Sequence, residues 1–487
     1  MNTERVIAGK GKVEKPVAKK QRPDPARLCA ARVLADVVLE HAFSNESLDR
    51  HLRSAGLTRE EAAFATALTY GTLSRYPALD LQLNKLLEKS LDSLDVWVAI
   101  CLRLGAWQIL YSYATPASAA VNESVKLCRY FGKESATGLV NAVLRKLDRA
   151  RKEGKITFRS KEIGPSLGLS TELFGLFRKW YGEEAAVSIG RAFLDDDVWL
   201  TLRVNPRQGS IEELRAAFLA NGAEVENGRY IPGALRIKGG ERHLDELEAY
   251  RAGLFMVQDE AAQLCGVLSG CEKATEIIDV CAAPGGKTCD FAERSPDGAR
   301  ILAMDLNMDR LYKLRQNAER LGLRITCLER DASQPDLAQN LRSEGLLSAE
   351  GANFVLADVP CSGLGLLRRK AEIRLRMAYE ELLRFPPLQQ KILETAASLL
   401  RVGGHLMYST CTLNPQENEN LVRSFLNSQA GRNFRLLPLS GKLPPKLYAD
   451  LSKEESSRSL LDEGFILLRP DLVPLDGFFI ALLEKEA

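Results

Sequence analysis

No run of about 18 apolar residues, the length a membrane-spanning helix needs, interrupts this chain. The N-terminus lacks the apolar core of a secretory signal. Histidine is scarce, with four residues scattered at 41, 51, 243 and 405. None of the ten cysteines (29, 101, 128, 265, 271, 281, 289, 327, 361 and 411) has a partner at the spacing of paired zinc ligands. They form no disulfide framework either, and a reducing cytoplasm is the simplest compartment. Charge of one sign is also missing. Lys and Arg total 66 against 64 Asp and Glu, a net +2, so no global field points to a polyanion. No internal repeat is present. We expect no metal, no membrane contact and a monomer.

What is present divides by pattern, and 487 residues suggest two or three domains. Residues 1–24 are polar and lysine-rich and read as a disordered basic tail, with an arm touching RNA phosphates as the sharper alternative. Residues 25–151 carry apolar residues at spacings of three and four, over 26–41, 80–91, 95–111, 118–130 and 135–147. They predict an all-α domain of five to eight helices. The basic stretch 145–155 reads as a helix end plus linker, its cations suited to the helix dipole. Residues 165–255 predict a small α+β unit. Its strands lie near 198–204 and 230–237, and a helix over 210–221 is opened by a Ser210/Glu213 capping box. Residues 256–487 alternate strand and helix and predict an α/β, Rossmann-like, doubly wound sheet.

In such a sheet, ligands gather at the strand ends. Asp279-Val-Cys-Ala-Ala-Pro-Gly-Gly-Lys-Thr288 joins the first strand to its helix. The glycines permit close backbone approach, and the helix start offers free N–H groups. The loop fits neither G-x-G-x-x-G nor a P-loop, so a ligand without phosphates is favoured over a pyrophosphate. Asp279, Asp305, Asp331 and Asp358 stand at four successive predicted strand ends. Singly, each is most simply a helix cap or a surface charge. Together they suit a cationic ligand with a ribose, and S-adenosylmethionine carries a sulfonium, an ammonium and a ribose.

Two cysteines follow apolar strand-like runs. Cys361 lies in Asp358-Val-Pro-Cys-Ser-Gly-Leu-Gly365, and Cys411 in Tyr408-Ser-Thr-Cys-Thr-Leu-Asn-Pro415. A free cysteine usually fills space in a core. That is the reading for Cys29, Cys101, Cys128, Cys265, Cys271, Cys327 and, within the cofactor loop, Cys281. A pair at two strand ends suits a different chemistry. Carbon 5 of cytosine is a poor nucleophile until a thiolate adds at carbon 6, and the adduct must then lose the C5 proton and the thiolate. One thiol would attack and the other would assist release.

The three motifs, in this order and spacing, resemble those of the bacterial RsmB (Sun/Fmu) family of ribosomal RNA cytosine-C5 methyltransferases, in the NOL1/NOP2/Sun group. The resemblance rests on Cys281–Lys287, on the proline-cysteine motif 358–365 and on the threonine-cysteine motif Ser409-Thr-Cys-Thr-Leu-Asn-Pro-Gln-Glu-Asn-Glu419. It implies Cys411 as nucleophile, Cys361 as the thiol assisting release, and Asp358 near the target base. It also implies cofactor contacts from Cys281, Ala282, Ala283, Pro284, Gly285, Gly286, Lys287, Asp305, Asp331 and Asp358, with S-adenosyl-L-methionine as cofactor and 16S ribosomal RNA, naked or within an assembling small subunit, as partner. The helical domain is similar to the NusB-type RNA-binding fold through Pro116–Val125 and Val140–Lys146, a structural module being the alternative. The chain departs from the family at Lys370-Ala-Glu-Ile-Arg374, where a His-Pro-Asp-like stretch is usual. Arg368, Arg369, Lys370, Arg374 and Arg376 form a basic cluster there, read either as a solvated face or as an RNA contact. Two other classes stay open: a DNA cytosine-C5 methyltransferase using Cys361 as nucleophile, and a non-catalytic RNA-binding or antitermination factor.

Overall fold

The computed structural model describes residues 22–240 and 243–487. Most of the expected basic tail, residues 1–21, lies outside the described residues. The chain forms two compact units that meet in sequence at Gly168 and Leu169.

The first unit is helical. Its long helices are Pro25–Leu39, Ser44–Ala55, Arg59–Ser74, Tyr76–Asn84, Val96–Tyr111, Ala117–Tyr130 and Thr137–Lys152. Val96–Tyr111 is apolar nearly all round and is buried accordingly. Its one inward charge, Arg103, stacks on Tyr76 and reaches Asp80 at 2.6 Å. The helix expected over 80–91 instead ends at Asn84. There the Asn84 side chain accepts the Leu91 amide at 2.8 Å and turns the chain, although the leucine spacing continues. The basic run 145–155 is a helix end, with Arg149, Arg151 and Lys152 in the last turn.

The second unit opens with helices Thr171–Tyr181 and Glu183–Ala192. An antiparallel sheet follows: β1 (Leu200–Val204), β2 (Ala223–Asn227), β3 (Ala234–Gly239) and β4 (Phe255–Val257), in order β2-β3-β1-β4. Ser210 and Glu213 form the predicted capping box on helix Ile211–Ala220. That helix packs Leu214 and Phe218 with Leu202, Leu235 and Phe255. The second predicted strand starts later than 230, because residues 229–231 donate their amides to Glu260 at 2.7–2.8 Å.

The main sheet contains β5 (Glu276–Asp279), β6 (Arg300–Asp305), β7 (Thr326–Glu329), β8 (Ala352–Asp358), β9 (Leu400–Thr410), β10 (Phe434–Leu436), β11 (Ile466–Leu468) and β12 (Phe478–Lys485). Its order is β10-β12-β9-β8-β5-β6-β7, with β11 also on β12. β5 to β9 pair in parallel, and β12 runs antiparallel to β9. The order reverses between β5 and β8, where a parallel sheet opens a crevice at its strand ends. The register aligns those ends: Asp279 lies beside Ala303 and Leu356, and Asp358 beside Ser409.

Arg203 of β1 ties the small sheet to helix Gly286–Arg294, which follows the β5 loop. Its guanidinium is buried and donates to Glu293 at 2.7 Å, to the Gly286 carbonyl at 2.7 Å and to Gln258. Truncation would leave the Glu293 carboxylate buried without its cation. We expect Arg203→Ala to destabilise this unit by about 3–5 kcal/mol, measured as faster hydrogen exchange in helix Gly286–Arg294. Arg435→Ala, which removes a surface pair with Glu484 and Glu486, should stay within about 1 kcal/mol.

Candidate active site

A cleft of about 350 Å³ opens at the ends of the parallel strands. Cys281, Ala283, Asp305, Asp331, Asp358, Cys361 and Cys411 all line it. Ala282, Pro284, Gly285, Gly286 and Lys287 do not; they shape the turn behind it. Ala282 donates its amide to the Met304 carbonyl at 2.8 Å, which fastens the turn to β6. Gly285 sits at φ 106° against Leu314, and a Cβ there would come within 2.7 Å of that side chain.

Three of the four strand-end acids face the cleft. The exception is Asp279, 1% exposed. It turns inward, where Thr288 donates to it at 2.7 Å and the Cys281 amide at 3.2 Å. Burial pushes its carboxyl up to about 7. Asp305 accepts the Ala283 amide at 3.1 Å and the Asn307 amide at 3.0 Å. A carboxylate offers about four acceptor positions, so about two remain for a ligand's hydroxyls. Asp331 lies two residues beyond β7, where bonds from Gln334 and Ser333 hold its carboxyl below the ordinary range. Apolar walls come from Val359, Pro360, Leu388 and Ile392. Leu388 and Ile392 are four apart on helix Phe385–Ser398 and so share one face.

Asp358 sits at the junction of the two halves. One oxygen accepts from Lys287 at 2.8 Å, the other from Ser409 at 2.7 Å. Burial pulls the Lys287 ammonium down, but the Asp358 carboxylate more than offsets this and holds it charged. The thiols of Cys361 and Cys411 lie 3.2 Å apart, sulfur to sulfur. The contact with Cys361 lowers the Cys411 thiol against its burial; the Asp358 charge opposes this, and the Lys287 and Lys370 charges assist it. The same contact, burial and the Glu417 charge move Cys361 upward. The surroundings thus favour ionisation at Cys411 over Cys361.

A residue to which sequence reasoning gave no role holds the two thiol loops in place. The Glu417 carboxylate is buried and accepts from the Ser362 amide at 2.9 Å and hydroxyl at 2.5 Å, from Asn414 at 2.9 Å and from Gln389 at 2.9 Å. Ser362 also meets Thr412 at 2.6 Å. The Gly365 amide donates to the Cys411 carbonyl at 2.9 Å. A Cβ on Gly365 would lie 2.0 Å from the Gly477 carbonyl oxygen, so only glycine fits this crossing. The available signal was position: Glu417 follows Cys411 by six residues, inside the same motif.

The basic cluster after Cys361 fits neither expected account in full. Arg369 is a structural bridge, with Asp259 at 2.8 Å and Asp476 at 2.8 Å. Arg374 is buried and donates to the Leu367 carbonyl at 2.7 Å. These partners are carboxylates and carbonyls brought close by the fold.

Residues 267–484 match the family model described as 16S rRNA methyltransferase RsmB/F, and residues 24–149 match the NusB family. The chain is 32% identical over 463 residues to a probable ribosomal RNA small subunit methyltransferase B of Synechocystis sp., covering 94% of this chain and 99% of that one. It is 30% identical over 474 residues to ribosomal RNA small subunit methyltransferase B of Pseudomonas syringae pv. tomato, covering 95% and 97%. The crystal structure of PH0851 shares the fold, with a TM-score of 0.75 at 23% identity over 97% of this chain and 100% of that one. With the Rossmann-like sheet, the helical unit and near full-length similarity agreeing, the chain belongs to the ribosomal RNA small subunit methyltransferase B family and is an rRNA methyltransferase with an N-terminal NusB-like domain.

Proposed function

We propose that this protein methylates carbon 5 of a cytosine in 16S ribosomal RNA, as a cytoplasmic monomer, through a covalent bond between Cys411 and carbon 6. The observation that carries the reading is the contact of two thiols, 3.2 Å apart, at the mouth of an acid-lined cleft. The cleft residues fit S-adenosyl-L-methionine: Asp305 keeps acceptor capacity for ribose hydroxyls, Asp331 and Asp358 offer negative charge, and Leu388 and Ile392 offer an apolar wall. When bound, S-adenosylmethionine would supply the electrophilic methyl group.

The chain's own residues do the rest. The Cys411 thiolate adds to carbon 6, and the ring's electron pair moves toward carbon 5. Asp358, coupled to the Lys287 ammonium, faces the base near N3. After methylation the C5 proton is removed to a base, the Cys411–C6 bond breaks, and the thiolate leaves with its electron pair. Cys361, which retains its proton while Cys411 is ionised, supplies that proton to the departing sulfur. The reading with Cys361 as nucleophile is disfavoured because the thiol contact, burial and the Glu417 charge all raise Cys361, whereas Cys411 is lowered overall.

With RNA carrying 5-fluorocytosine, Cys411→Ala should form no covalent adduct on a denaturing gel, whereas Cys361→Ala should accumulate one. An adduct in Cys411→Ala would refute the nucleophile assignment. Removing the Lys287 charge should also move the acid limb of the kcat profile. The ammonium favours the Cys411 thiolate, so activity rises with pH as that thiol ionises. In Lys287→Gln the limb should shift to higher pH, read from single-turnover rates. For the cofactor, Asp305→Ala should weaken S-adenosylmethionine binding at least tenfold by calorimetry, about 1.4 kcal/mol; undiminished binding would remove Asp305 from the site.

A further inference from the structure

A second, narrow cleft in the methyltransferase unit plays no part in the chemistry above. Trp199 precedes β1 at one side, Arg236 stands on β3, and Arg229 lies in the turn before it. The opposite wall is Arg368 and Arg369, on the loop that carries Cys361.

Carboxylates in and around the cleft pair all of its lining cations but one. Of the three acids present, Asp197 is held by Lys238 at 2.6 Å and by the Trp199 indole at 3.2 Å. Asp259 is held by Arg369 at 2.8 Å. Glu260 is saturated by three backbone amides at 2.7–2.8 Å. Arg236 turns to Glu226 at 2.8 Å on the rim, and Arg368 reaches Asp195 only at 3.4 Å. The half-buried Arg229 guanidinium has no carboxylate partner among the described residues. Burial, and then the Arg229 charge, lower the Arg236 guanidinium, while the Glu226, Glu260 and Asp197 carboxylates raise it. What the cleft leaves over is the Arg229 guanidinium, and a guanidinium without a carboxylate partner favours an anionic oxygen.

The dimensions select the anion. The free volume is about 10 Å³, near that of one water-sized sphere. It admits a single oxygen atom and excludes a nucleobase. Arg236 already covers the indole face of Trp199, 4.8 Å from the ring centre, so no base can stack there. We propose that this cleft binds a phosphodiester oxygen of the substrate RNA, Arg229 and Arg368 being the positioning residues that seat the strand flanking the target nucleotide. The link to the catalytic cleft is covalent: Arg368 is seven residues from Cys361, and Arg369 anchors the intervening loop to Asp259 and Asp476. A strand gripped here therefore has its register set against the loop that carries a thiol. This assignment rests on the catalytic reading only for where the target nucleotide sits; the phosphate grip itself does not require it.

The test uses the full chain, a small-subunit rRNA transcript, and Arg229→Ala, Arg229→Lys and, as a surface control, Arg432→Ala. Arg229→Ala should raise the KM for RNA about tenfold with kcat and the KM for S-adenosylmethionine unchanged. The slope of log affinity against log salt, from anisotropy without methyl donor, should fall by about one. Arg229→Lys should recover most of the affinity, and Arg432→Ala should match the wild type. Arg229 donates no side-chain bond to the fold, so unchanged thermal melting is expected alongside. An unchanged salt slope and KM in Arg229→Ala would overturn the proposal. The anisotropy measurement needs no turnover, so it decides the phosphate site even if no 5-methylcytosine forms, an outcome that would refute the catalytic reading alone.

Discussion

A single buried carboxylate sets the geometry on which the candidate site depends. β8 and β9 are neighbouring parallel strands, and each ends in a loop free to leave the sheet in its own direction. Glu417 prevents this by accepting from Ser362 in one loop, from Asn414 in the other and from Gln389 on helix Phe385–Ser398. Burying a carboxyl is costly, and burial does push this one up. Hydrogen bonds from three elements offset that cost and tie the two loops to the helix. The nearness of the two sulfurs follows from that clamp.

The clamp supplies proximity, and the charges around the thiols bear on which of them ionises. Lys287 is one of those charges: it comes from the helix after β5, pairs with Asp358 at the end of β8, and lowers the thiol at the end of β9 while the Asp358 carboxylate raises it. One lysine thus couples the turn proposed to hold the methyl donor to the residue proposed to attack the base.

Much of this was legible because it is local. Apolar runs at strand length, caps such as Ser210 with Glu213, and the loops after each strand are encoded within ten or so residues. The meeting of Cys361 and Cys411 followed from placing both at strand ends of one parallel sheet. What escaped reading depends on distant pairing. Arg369 looks like part of a basic surface until the fold brings it to Asp259 and Asp476, each more than a hundred positions away. Asp279 resembles the other strand-end acids, and only burial shows that it faces inward. The leucines after Asn84 keep helical spacing, but one side-chain hydrogen bond outweighs them. Lys287 sits inside a recognised motif, yet its partner lies 71 residues on, at Asp358.

The crossing of Gly365 and Gly477 bears on the order in which the protein matures. The Cys361 loop is closed on one side by backbone 116 positions later in the chain (361 to 477), and β12 begins at the next residue. A nascent chain emerging from the ribosome presents Cys361 and Cys411 long before that crossing can form. Until β12 docks between β9 and β10, the Glu417 clamp is in place in the chain but the crossing is not. A truncated product carrying both thiols would therefore still lack the contact that closes the Cys361 loop.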